Sequence, residues 1–101
     1  MNLANRKSYV YILSNDNNTV VYVGCTIDIN KRLYLHRNRL LPGFTKKYNL
    51  TKLVYFEEFD NEGLALDREK QIKKYRREKK NNLIEKTNSG WLDQTNKVIL
   101  C

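Results

Sequence analysis

The run Ser8-Tyr9-Val10-Tyr11-Ile12-Leu13-Ser14, Asn15-Asp16-Asn17-Asn18, Thr19-Val20-Val21-Tyr22-Val23-Gly24 is the strongest constraint on what this chain folds into. Two segments rich in aromatic and β-branched residues flank a cluster of turn formers, which predicts a β-hairpin. With residues 15–18 as a four-residue loop, Ser14 faces Thr19 and Tyr11 lies directly across from Tyr22. Opposed residues share a sheet face, so the two phenols become neighbours.

Downstream, Asp28 is placed to cap a helix in which Ile29, Leu33, His36 and Leu40 recur at helical spacing. Arg32 stands four residues before His36, so both project from one side. Pro42-Gly43 is expected to stop this helix, and 44–49 to form a basic loop carrying Tyr48. Residues 52–59, Lys-Leu-Val-Tyr-Phe-Glu-Glu-Phe, read as a third strand whose continuous apolar centre is covered on both faces. Asp60 or Asn61 then opens a long second helix with Ala65, Ile72 and Tyr75 as its inward stripe. Glu69 falls on that stripe, where burial costs a carboxylate unless it is paired or binds a cation. Asn82-Leu83-Ile84-Glu85 suggests a last short helix. The expected division is one domain over 1–93 and a C-terminal tail over 94–101, with Trp91 packing back onto the domain.

Nineteen basic residues against eleven acidic ones give a formal charge of +8 on 101 residues, which points to polyanionic partners. Residues 31–47 and 68–80 together hold fourteen of the nineteen. Two such runs beside seven tyrosines favour a surface that tracks phosphates over a merely solvated face. A single histidine excludes sites that need a His cluster. Cys25 and Cys101, far apart, are expected to be free thiols. No apolar run reaches the roughly 20 residues of a membrane span, and the N-terminus lacks the apolar core of a secretory signal. The expected location is cytoplasmic, with no membrane partner.

The candidate site residues suit phosphodiester hydrolysis. One carboxylate is enough for a Mg²⁺ ion that keeps several waters and takes substrate phosphate into its shell. An arginine can hold the scissile phosphate. A phenol can act as base where nearby cations lower its working pKa from about 10.

At this level the chain resembles the GIY-YIG nuclease superfamily, in its branch of small stand-alone proteins related to excision-repair and structure-specific endonuclease domains. The two halves of the motif fall on Tyr9-Val10-Tyr11 and Tyr22-Val23-Gly24, with Tyr9 in place of the first glycine. Arg32 stands ten residues after Tyr22, His36 follows it by four, and Glu69 lies within Arg68-Glu69-Lys70-Gln71-Ile72. Asn82 matches the asparagine near the domain end, and Phe44-Thr45-Lys46-Lys47-Tyr48 resembles a run of the small branch.

The resemblance implies an α+β fold, a three-stranded antiparallel sheet flanked by helices, and hydrolytic cutting of nucleic acid with one divalent metal, Mg²⁺ or Mn²⁺. Glu69 would hold the metal, Arg32 the phosphate, and Tyr11 or Tyr22 would activate or position water. His36 would orient a tyrosine or contact phosphate. Lys31, Arg39, Lys46, Lys47, Tyr48, Lys73, Lys74 and Asn82 are the expected nucleic-acid contacts. DNA is favoured over RNA, and a protein partner that supplies specificity is compatible with so short a chain. The competing reading is a nucleic-acid-binding module that does not cut. Taken as purely structural residues, Arg32 would simply pair with Asp28, and Glu69 with Lys73.

Overall fold

The structure, a computed structural model, describes residues 7–41 and 43–99; Pro42 and Cys101, both used above, lie outside the described residues. Strands β1 (Ser8–Ser14), β2 (Val21–Thr26) and β3 (Lys52–Phe59) form an antiparallel sheet in the order β2-β1-β3. Helices α1 (Ile29–Arg37), α2 (Phe44–Lys47), α3 (Glu62–Lys73), α4 (Arg77–Thr87) and α5 (Thr95–Ile99) flank it. The fold is α+β, as expected.

Alternation along β1 builds both halves of the core, because successive side chains of a strand point to opposite faces. Val10 and Ile12 pack with Ala65, Ile72, Ile84 and Trp91 on the side of α3 and α4. Tyr11 and Leu13 pack with Ile29, Leu33, Leu50 and Val98 on the side of α1 and α5. The central strand is therefore buried on both faces. β3 keeps the expected bounds, and its continuous apolar run has a specific cause. The register shifts between Ile12, opposite Tyr55, and Leu13, opposite Leu53, so Val54 is the extra residue of a bulge. Leu53 then faces one core and Val54 and Tyr55 the other.

The outer edge of β3 is covered by the segment after α4. Gln94 N donates to Leu53 O at 2.7 Å, Leu53 N donates to Asp93 Oδ1 at 3.3 Å, and Asn88 Nδ2 donates to Val54 O at 3.0 Å. These bonds cover the edge at Leu53 and Val54, where another chain could otherwise pair. Residues 94–99, within the stretch set aside as a tail, include Thr95 and Val98, both buried. Trp91 is buried as expected, and its Nε1 donates to Glu85 Oε2 at 2.8 Å.

Four local expectations are corrected. The hairpin loop spans residues 15–20, because Asn15 Oδ1 accepts from both Thr19 N and Val20 N at 3.0 Å. Ser14 consequently pairs with Val21, and Tyr11 faces Gly24 while Tyr22 faces Leu13. A slip of two positions preserves the face, so the phenols still share one side of the sheet. Helix α1 is capped by Asp28, which accepts from Lys31 N at 3.0 Å, but it ends before Leu40. Leu40 N reaches Leu35 O at 2.8 Å and Arg39 N reaches His36 O at 3.1 Å, with Arg39 at φ 56°, a left-handed helix stop upstream of Pro42-Gly43. Leu40 is exposed.

Residues 44–49 contain the short helix α2, closed by the same device: Leu50 N reaches Thr45 O at 2.9 Å and Asn49 has φ 57°. Finally, the long second helix breaks after Lys73, and α4 takes in 82–85. Tyr75 sits in the connector, where its hydroxyl accepts from Arg68 Nη1 at 3.3 Å, and the turn brings Ile84 onto the sheet.

Candidate active site

Tyr11 is the centre of the cluster and is almost completely buried. Its ring crosses β2 over Gly24, where a Cβ would stand 2.5 Å from Tyr11 Cζ and Oη. Tyr11 Oη lies 3.3 Å from His36 Nε2, and His36 Nδ1 lies 3.0 Å from Thr45 Oγ1. Hydroxyls at both ring nitrogens satisfy a neutral imidazole, which has one donor and one acceptor nitrogen. Burial, then the neighbouring Arg32 charge, pushes His36 down to about 4, so the ring is neutral at pH 7. Burial also raises the Tyr11 phenol, with the Tyr22 phenol adding to it and the Arg32 charge opposing it.

Tyr22 completes the group. Its ring centroid is 6.4 Å from that of Tyr11 and 6.1 Å from that of His36. Arg32 is half-buried on α1 beside them. Among the described residues no carboxylate pairs with its guanidinium, so the Asp28 pairing does not form. A half-buried cation without a counter-charge is a built position for an anion.

Glu69 reaches the same region from the other side of the sheet, since α3 packs against β1 and β2. Its charge bears on both the Tyr11 phenol and the Cys25 thiol, which is raised first by burial and then by Glu69. The Glu69 side chain is 16% exposed and meets Lys73 Nζ at 3.4 Å. Its neighbour Arg68 fixes the helix in place: Nε donates to both oxygens of Glu57 at 3.1 Å, and Nη1 donates to Gln71 Oε1 at 2.6 Å. Tyr55 donates to the same Glu57.

Among the described residues no three His, Cys, Asp or Glu side chains converge on a metal position. A single hard oxygen donor that is mostly buried still fits a hydrated Mg²⁺ completed by substrate phosphate. The Lys73 ammonium on one oxygen is half-exposed, and such surface pairs are weak enough to be displaced.

The expected nucleic-acid contacts divide into two groups. Lys46, Lys47 and Tyr48 lie on and just after α2, next to Phe44, whose centroid is 6.2 Å from that of Tyr22. Arg39 lines one cleft with Tyr48, and Lys31 is exposed in the first turn of α1. Lys74 and Asn82 instead line a cleft with Tyr75 and Lys79 between α3 and α4, lined by none of the tyrosine–histidine cluster. Lys73 is occupied by Glu69.

Thr45, Gly24 and Arg68 were not singled out as site residues. For Thr45 the available signal was its place in the Phe44–Tyr48 run, three residues after Pro42, where a hydroxyl could return to the helix before it. For Gly24 it was its position in the motif.

This sheet carries two phenols, an imidazole and a guanidinium gathered beside its edge strand β2. The model of the GIY-YIG catalytic domain family matches residues 7–82, and the chain belongs to that family, whose members are generally divalent-metal-dependent nucleases. The chain is 39% identical over 77 residues to a UPF0213 protein of Haloquadratum walsbyi, covering 76% of this chain and 85% of that one. It is 40% identical over 78 residues to a UPF0213 protein of Staphylococcus saprophyticus, covering 77% of this chain and 94% of that one. The solution NMR structure of a UPF0213 protein of Bacillus halodurans is similar in fold, with TM-score 0.56 and 26% identity over 89% of this chain and 95% of that one.

Proposed function

We propose that this domain is an endonuclease that hydrolyses phosphodiester bonds in DNA with one Mg²⁺ or Mn²⁺ ion. The observation that carries the reading is Arg32, a half-buried guanidinium without a carboxylate partner among the described residues, beside the linked Tyr11, His36 and Thr45. Arg32 binds the scissile phosphate and opposes the charge that grows on its oxygens as water attacks. Tyr11, its phenol kept protonated by burial, and Tyr22 position that water, while neutral His36 holds the Tyr11 hydroxyl. Glu69 would hold the divalent ion, which when bound would supply Lewis-acid stabilisation of the developing negative charge. The domain acts from the cytoplasm on polyanionic substrate drawn in by the basic faces of α1, α2 and α3.

The Glu69–Lys73 ion pair favours a second reading, a binding module that does not cut, because it satisfies the carboxylate without metal. A panel of single-stranded, duplex, flap and branched substrates, incubated with and without Mg²⁺ or Mn²⁺, separates the two. Metal-dependent cleavage of at least one substrate supports the nuclease; binding without any cleavage supports the module.

A further inference from the structure

Beside the buried cluster stands a short row of rings that the hydrolytic chemistry does not use. Phe44 is 48% and Tyr48 39% exposed, on one turn of helix, with ring centroids 4.7 Å apart. Phe44 continues inward to Tyr22 at 6.2 Å, so the row leads from the surface to the site. An exposed phenylalanine at the mouth of a polar site leaves apolar surface in water that something flat could cover. The charges around it are of one sign. Lys47 Nζ lies 5.3 Å from the Tyr48 centroid, and Lys31, Arg32, Arg37, Arg39, Lys46 and Lys47 occur between positions 31 and 47 without an acidic residue.

We infer that Phe44 and Tyr48 form a stacking shelf for an unpaired nucleobase of the strand whose phosphate lies at Arg32. A base has an apolar, π-bearing face that matches the rings, and the phosphates on either side of it match Lys46 and Lys47. A paired base presents only its edges in the grooves and cannot lay its face on a ring, so the shelf selects strands that are open beside the bound phosphate. The inference rests on the proposed binding of nucleic acid at this site, but it requires no cutting.

The test is therefore a binding measurement in EDTA, by fluorescence anisotropy of a labelled ten-nucleotide thymidylate strand, the same strand with abasic positions, and a duplex of equal length. The shelf predicts that the wild-type protein binds thymidylate about ten-fold or more tightly than the abasic strand. Phe44→Ala and Tyr48→Ala should bring thymidylate down to the abasic level and lower duplex affinity by a clearly smaller factor, while Tyr48→Phe keeps the preference. Tyr48→Leu, which preserves apolar bulk beside Phe44, should lose it, and far-UV circular dichroism identifies any variant that has not folded. Equal affinity for thymidylate and abasic strands, a preference that survives in Tyr48→Leu, or no nucleic-acid binding at all overturns the inference. A preference for thymidylate without metal-dependent cleavage retains the shelf and removes the nuclease; cleavage without the preference does the reverse.

Discussion

The Tyr11 ring takes up the space in which a side chain at Gly24 would stand, at 2.5 Å from a Cβ placed there. The glycine of the second motif is thus needed by a tyrosine of the first, through the cross-strand pair that joins them. Because Tyr11 is buried and packed on its other side, it has little room to give way. Gly24→Ala should cost about 1–3 kcal/mol in urea unfolding and separate Tyr11 Oη from His36, with loss of activity. An alanine variant of unchanged stability and activity would contradict this.

Thr45 completes the same chain of contacts. Thr45→Val leaves buried His36 Nδ1 without a partner and should cost about 1–3 kcal/mol. Thr45→Ser restores the hydroxyl and should recover most of that loss, as measured by thermal or denaturant unfolding. Equal destabilisation by Val and Ser would show that the methyl group, and not the hydrogen bond, matters.

The pH dependence has a definite sign. His36 titrates near 4 in the fold against 6.5 when unfolded, so folding favours the neutral ring. Its contribution to stability is fully present above pH 6.5 and is lost as pH falls toward 4, with a slope of at most about 1.4 kcal/mol per pH unit. Comparing wild type with His36→Gln across this window removes the background of titrating carboxylates. The stability difference should narrow as pH falls; a constant difference would exclude a buried neutral histidine.

Among the described residues no carboxylate pairs with Arg32, so Arg32→Ala should change stability by less than about 1 kcal/mol. It should nevertheless abolish cleavage, and His36 should titrate closer to its ordinary value by NMR, since the Arg32 charge helps to depress it. Arg32→Lys should restore little activity, because an ammonium cannot make the forked contact of a guanidinium with phosphate.

The parts of the fold that depend on local patterning were legible in the sequence. A continuous apolar run placed β3 at its observed bounds, and Asp28 and Asn61 cap their helices by accepting from Lys31 N and Leu64 N. What was not legible depends on contacts remote in sequence or on side-chain geometry. Asn15 lengthens the hairpin loop by accepting two backbone hydrogens, which no turn propensity anticipates. Arg39 adopts a left-handed conformation that usually belongs to glycine, so α1 ends without a glycine or proline at its stop. The break after Lys73 follows from packing Ile84 onto the sheet, a tertiary demand that overrides the continuous helical pattern. At the site, spacing placed Tyr11 and Tyr22 on one sheet face and Arg32 and His36 on one side of α1, whereas Thr45 became visible only once α2 had brought it to His36.

The most direct measurement compares wild type and Glu69→Gln on a cleaved DNA substrate in Mg²⁺ and in EDTA. The substitution keeps the size of the side chain and removes the charge that would hold the ion, so unfolding stability and binding in EDTA should stay close to wild type. Wild-type cleavage should require Mg²⁺ and should fall at least about 100-fold in Glu69→Gln, the loss expected when a transition-state charge is left unopposed. Cleavage by Glu69→Gln at the wild-type rate, or wild-type cleavage that persists in EDTA, would contradict the assignment of Glu69 to the metal.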